Sequence, residues 1–109
     1  MTGKKIREGI FKWCKKEEVP HFNSLTPNNI GEPDTKYLFS HNRTPVWVYI
    51  EIKGKGDRLT EAQKSRISLY RAYQQTTYVV KSIEEGIKIL SWHQAHLKSY
   101  PHYSRDNEK

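Results

Sequence analysis

Two short motifs hold the residue types that could do chemistry in this chain. Pro33-Asp34 opens one run of strand formers, and Glu51-Ile52-Lys53 closes another. Whether the two carboxylates and the lysine meet depends on how the strands pair. In residues 46–53, alternation sends Val46, Val48, Ile50 and Ile52 to one face and Trp47, Tyr49, Glu51 and Lys53 to the other. Folding the hairpin about Asn42 and Arg43 sets 34 opposite 51, 36 opposite 49 and 38 opposite 47. Directly opposed residues of an antiparallel pair share a face, with Cβ atoms roughly 4.5–5.5 Å apart. Asp34 and Glu51 then project together, with Lys53 beside them, and a slip of one residue would part them.

Two carboxylates this close repel unless a cation lies between them or one keeps its proton. Hard oxygen ligands suit Mg²⁺ or Mn²⁺, which keep several waters and bind phosphate oxygens. Such an ion polarises a phosphodiester and acidifies water. Lys53 is placed to orient the attacking water and to offset developing negative charge. The chemistry indicated is metal-assisted phosphodiester hydrolysis. The competing reading is structural: Glu-x-Lys is a common solvated strand face, and Asp after Pro a common turn.

The elements that must position these residues follow from periodicity and punctuation. A helix over residues 4–18 carries Ile6, Ile10, Trp13 and Cys14 on one face and stops before Pro20. Residues 19–33 hold three prolines and at most one short strand, near 21–25. Strands at 34–39 and 46–53 flank the polar turn SHNRTP, and the turn GKGDRL follows. A second helix starts at Thr60, where TEAQ has the capping-box pattern, and runs to about residue 75. TTYVVKS is a short buried strand, and residues 82–98 form a third helix with its own capping box from Ser82 to Glu85. The order is α-β-β-β-α-β-α, an α/β domain with a mixed central sheet flanked by helices. The second helix is long enough to make the last two strands parallel. A single domain over residues 1–100 and a loose polar tail over 101–109 account for the chain.

Composition narrows the partners. With 19 Lys and Arg against 12 acids, the net charge is +7, which favours a polyanion, nucleic acid before an anionic membrane. No apolar run approaches the ~20 residues of a membrane span, and no signal-peptide core is present. The one cysteine, Cys14, excludes an internal disulfide, fits a reducing cytoplasm and reads as a small core residue.

The wording around the motifs is similar to one known family. PD at 33–34 with EIK at 51–53 is the pattern of the PD-(D/E)XK nuclease superfamily. GEPD, then YIEIKGKGDRLTEAQ, then TTYVVKSIEEG resembles its VRR-NUC (virus-type replication-repair nuclease) branch over roughly residues 4–90. The resemblance implies a restriction-endonuclease-like core, with Asp34, Glu51 and the carbonyl of Ile52 as metal ligands and Lys53 as the catalytic lysine. It places Gln63 close to the active site. It also implies an acid from the first helix, for which Glu8 is the choice over Glu17 and Glu18 because it lies off the apolar face. Small stand-alone members resemble phage-encoded homodimers that cut branched DNA. The expectation is therefore a metal-dependent, structure-selective DNA endonuclease, a Holliday-junction resolvase, working in the cytoplasm (the host's, if phage-encoded). The alternatives are a nuclease of the same fold acting on flap, nicked or duplex DNA, and a non-catalytic DNA-binding module.

Other residues have plainer readings beside functional ones. Gln63 is also the capping-box partner of Thr60 and need do no chemistry. Lys55, Arg58, Lys64 and Arg71 form either a phosphate-contacting rim or a solvated basic face. His93 and His96 could share a metal but lack nearby ligand partners, so a partly exposed helix face is expected. Trp13 and Trp92 read as core or dimer-contact residues, and Tyr70 and Tyr73 as a packed helix stripe.

Overall fold

Asn42 and Arg43 both adopt the left-handed backbone conformation, with φ of 52° and 66°. Positive φ at both central residues defines a tight two-residue turn whose twist matches that of its flanking strands. The computed structural model, which describes residues 1–24 and 31–97, accordingly carries the pairing further toward the turn than expected. Strand β2 spans Thr35–His41 and β3 spans Thr44–Ile52, following helix α1 (Gly3–Glu17) and strand β1 (His21–Asn23). Helix α2 (Glu61–Ala72), strand β4 (Thr76–Val80) and helix α3 (Ile83–Leu97) complete the order α-β-β-β-α-β-α. The β2–β3 register pairs Thr35 with Ile50, Lys36 with Tyr49 and Leu38 with Trp47, which is the expected one. Pro45 lies inside β3 opposite Ser40, where its missing N–H faces the side on which β4 pairs only from Val48 onward.

The four strands form one sheet in the order β1-β2-β3-β4. The first two pairings are antiparallel and β3–β4 is parallel, with α2 as the crossover. Val48, Ile50 and Ile52 of β3 join Tyr37, Phe39 and Val80 in a core closed by Ile6, Ile10 and Cys14 of α1 and Leu90 of α3. Burial pushes the Cys14 thiol up to about 12, so it stays an inert core group. Helix α2 covers the opposite face, with the Tyr70 ring 4.9 Å from that of Tyr49 and Arg71 donating from Nε and Nη2 to the Thr77 carbonyl. The sheet is therefore a middle layer, and β3 carries core on one face and Glu51 on the other.

Three expectations for side chains are corrected. His93 is buried, not part of an exposed face: it shares the inward side of α3 with Leu90, and its Nε2 lies 2.9 Å from the Tyr78 hydroxyl. Burial lowers its pKa and His96 adds to that, while the exposed His96 stacks on Trp92. Tyr73 is 73% exposed because α2 ends at Ala72 and Tyr73 caps it. Trp92 is 55% exposed, which removes the core half of its reading and is compatible with a contact to a second copy. Leu25, Lys98 and the tail over 101–109 lie outside the described residues. Among the described residues, no helix is long and apolar enough to cross a membrane.

Candidate active site

The Gly31-Glu32-Pro33-Asp34 segment reaches β2 by a path that leaves no slack. Gly31 has φ of +84°, and a Cβ there would come within 2.5 Å of the Ala62 carbonyl oxygen on α2. Only glycine takes this conformation without strain while touching the helix backbone. Glu32 is held by α2 from above: Arg66 Nη1 donates to it at 3.1 Å, and the Tyr70 hydroxyl donates to its other oxygen. Pro33 is fully buried. The clamp of Glu32 by Arg66 and Tyr70 spans more than thirty residues of sequence, and no spacing pattern announces it. Gly31→Ala combines a left-handed backbone penalty with a clash against main chain, so the protein should lose about 2 kcal/mol or more of stability. That corresponds to a fall in melting temperature of about 10 °C, measurable by circular dichroism.

Asp34, so anchored, meets Glu51 across the end of the hairpin. The Asp34 backbone N–H donates to Glu51 Oε1 at 3.2 Å, and Asp34 Oδ2 accepts from the Ile52 N–H at 3.0 Å. Glu51 is 1% exposed, which rules out a solvated strand face for it. Its second oxygen, Oε2, accepts from Gln63 Nε2 at 2.9 Å and lies 3.3 Å from Lys53 Nζ. Burial, and after it the charge of Asp34, pushes the Glu51 carboxyl up to about 7, while Lys53 pulls it back. The side chain thus sits near its ionisation midpoint at neutral pH, held between a proton and a cation.

Gln63 does both of the things its position suggested. Its Oε1 accepts from the Thr60 N–H at 2.8 Å and its backbone N–H donates to Thr60 Oγ1 at 3.1 Å, closing the capping box. The amide nitrogen is left to hold Glu51. Gln63→Glu keeps the cap, since glutamate suits that position, but replaces a donor to Glu51 with a like charge. Helix content should stay unchanged by circular dichroism while any nuclease activity falls at least tenfold.

The remaining sequence-derived residues are placed as follows. Asp34 and Ile52 line an open cleft of about 200 Å³ together with Gly3, Lys4 and Arg7 of α1. Glu8 is exposed and is not among the lining residues. Glu17 accepts from Gln94 of α3, and Glu18 is the left-handed C-cap of α1. The helix thus turns its basic flank, not an acid, toward Asp34. Periodicity fixes which residues of α1 face the core, but which flank of that face looks along the sheet depends on how the helix is docked. That docking rests on Gly54, where a Cβ would come within 2.8 Å of the Gly3 nitrogen, and on the Lys55 N–H donating to the Met1 carbonyl. Lys55 and Arg58 are exposed on the turn after β3, and Lys64 is exposed but paired with Glu61 at 3.3 Å. Arg71 braces the start of β4.

Among the described residues no group of three or more His, Cys, Asp or Glu side chains could hold a metal ion. Two carboxylates nevertheless suffice for Mg²⁺ or Mn²⁺, which retain water in the other positions. The buried, charge-strained Glu51 beside Asp34, with Asp34 open to the cleft, fits such an ion.

A mixed sheet with Asp34, Glu51 and Lys53 gathered at the end of its central hairpin is the arrangement of a nuclease of the PD-(D/E)XK type. The VRR-NUC domain model matches residues 1–83, and the chain belongs to that family. The architecture is shared with a solved structure described as a VRR_NUC domain protein, at 20% identity and a TM-score of 0.73, covering 87% of this chain and 89% of that one. No curated protein matches the chain.

Proposed function

We propose that this nuclease domain is a metal-dependent endonuclease that cuts branched DNA, with the four-way junction as its preferred substrate. The observation that carries the metal-dependent reading is the burial of Glu51, 1% exposed, against a second carboxylate and a lysine. A protein that only bound DNA would lose affinity by keeping such acids beside phosphate, and would have no use for an aligned Lys53.

In this reading Asp34, Glu51 and the Ile52 carbonyl hold Mg²⁺ or Mn²⁺, which supplies Lewis acidity toward the phosphodiester and toward water. Gln63 and the Asp34 N–H fix the Glu51 carboxylate in one orientation. Lys53, only 13% exposed, holds a positive charge where negative charge grows on the phosphate during attack, in a setting that screens it poorly. Lys55, Arg58 and Lys64 offer exposed cations to the flanking backbone, and the net charge of +7 supports attraction to DNA. A homodimer fits a symmetric junction, because one site cuts one strand and a two-fold axis presents two sites.

The test is cleavage of a labelled four-way junction beside a linear duplex of the same arms, by wild type and Lys53→Ala, in Mg²⁺, Mn²⁺ or EDTA. Metal-dependent cutting of the junction alone, lost in the variant, is the expected result. Equal cutting of both DNAs keeps the chemistry and discards the junction preference. Folded protein that binds DNA and cuts under no metal is a binding module.

A further inference from the structure

The cleft beside Asp34 has a wall that the hydrolytic groups leave unused. Gly3, Lys4 and Arg7 form it, facing Asp34 and Ile52. Lys4 and Arg7 are three residues apart on α1, so their side chains share one helix face. The first turn of α1 contains no acid. Among the described residues neither Lys4 nor Arg7 makes an ion pair, although Asp34 lines the same space. Lys4, Arg7 and Asp34 thus line one opening with no ion pair among them. The opening, about 200 Å³, is large enough to admit a phosphate group.

Lysine and arginine on a helix would ordinarily extend into bulk water. Arg7 is instead half-buried, and its charge reaches the fully buried Tyr37 hydroxyl. A guanidinium in that setting is weakly screened, and its planar fork suits a phosphate oxygen pair better than an ammonium does. The ligand that satisfies two cations on one wall, and tolerates Asp34 opposite through an intervening divalent ion, is a phosphate group.

We propose that Arg7 and Lys4 form a phosphate subsite that seats a DNA backbone phosphate against the Asp34–Glu51 centre, Arg7 by its fork and Lys4 as a point charge. This rests on the nuclease reading for its substrate, and it assigns α1 the work of positioning the strand rather than of supplying a third acid. Arg7 and Lys4 are positioning residues, and Asp34, Glu51 and Lys53 keep the chemistry.

The test compares wild type with Lys4→Gln, Arg7→Gln, Arg7→Lys and the charge-matched Lys88→Gln, an exposed lysine on α3. Binding of a labelled junction is followed by fluorescence anisotropy across a salt series in the presence of Ca²⁺, an oxygen-seeking divalent ion that can stand between Asp34 and the phosphate. The subsite requires Arg7→Gln and Lys4→Gln each to weaken binding roughly tenfold relative to Lys88→Gln, and each to reduce the slope of log affinity against log salt by about one. Arg7→Lys keeps the slope but not the full affinity, because the fork is lost. Binding and slopes indistinguishable from Lys88→Gln overturn the subsite. Should Arg7→Gln fail to fold, Lys4→Gln, a change at an exposed side chain, decides alone. A wild type that binds but never cuts defeats the nuclease reading, while the salt slopes still decide the subsite.

Discussion

Glu51→Ala is expected to abolish cleavage, by roughly 10³-fold or more, and to leave DNA binding unchanged or tighter. The two halves of this result have separate causes. Glu51 is the point where the Asp34 main chain, the Gln63 amide and the Lys53 ammonium converge, so its loss removes the proposed metal ligand and frees three groups that it orients. Binding does not suffer, because a carboxylate facing a polyanion opposes association, and its removal adds one unit to a net charge already at +7. Cleavage assays at saturating DNA, paired with anisotropy in EDTA, measure both. Simultaneous loss of cutting and binding in a folded variant would make Glu51 a structural residue.

The second expected result concerns stability against pH in EDTA. Glu51 carries a folded-state pKa of about 7 against an ordinary value of 4.5. A raised acid pKa means that the folded state holds its proton more tightly than the unfolded chain. The resulting contribution to stability is complete below pH 4.5 and is lost as pH rises through 7. Across that window the contribution amounts to a few kcal/mol. Metal-free wild type should therefore lose melting temperature between pH 5 and pH 8 by about 10 °C more than Glu51→Gln, whose side chain does not titrate. Millimolar Mn²⁺ or Mg²⁺ at pH 8 should restore wild type and leave the variant unmoved, because the ion takes the place of the proton. Parallel pH profiles of the two proteins would remove Glu51 as the titrating group.

Much of this site was legible in the residues themselves. The alternation of Val46, Val48, Ile50 and Ile52 fixes the buried face of β3, and with a short turn at Asn42-Arg43 it fixes the register that sets Asp34 by Glu51. Those are local rules with a strict period of two. The capping box at Thr60 was equally readable, since it closes within three residues. At Ser82 only half forms: the hydroxyl accepts from the Glu85 N–H, and the Glu85 carboxylate meets that hydroxyl instead of the main chain. What stayed hidden depended on how elements dock. A helical period of 3.6 shows that Ile6 and Ile10 face inward but is silent on which flank of α1 looks toward Asp34. Glu8, one turn along from Lys4, is exposed and does not line the cleft beside Asp34. The Glu32 clamp joins residues 34 and 38 positions apart and carries no local signature. Cap and site were read as alternatives for Gln63, yet an amide has an acceptor and a donor at opposite corners and can serve both.

That double use ties the first turn of α2 to the Glu51 carboxylate. Helix ends open far more often than whole domains unfold. Fraying of the Thr60 cap would loosen the Gln63 side chain that holds Glu51, so opening at a surface turn would disturb the proposed reaction centre. Heat should therefore silence the enzyme some degrees before its tertiary structure melts. Amide exchange at Gln63 and Lys64 would follow the loss of activity, while that of the Val48 and Ile50 amides would follow global unfolding.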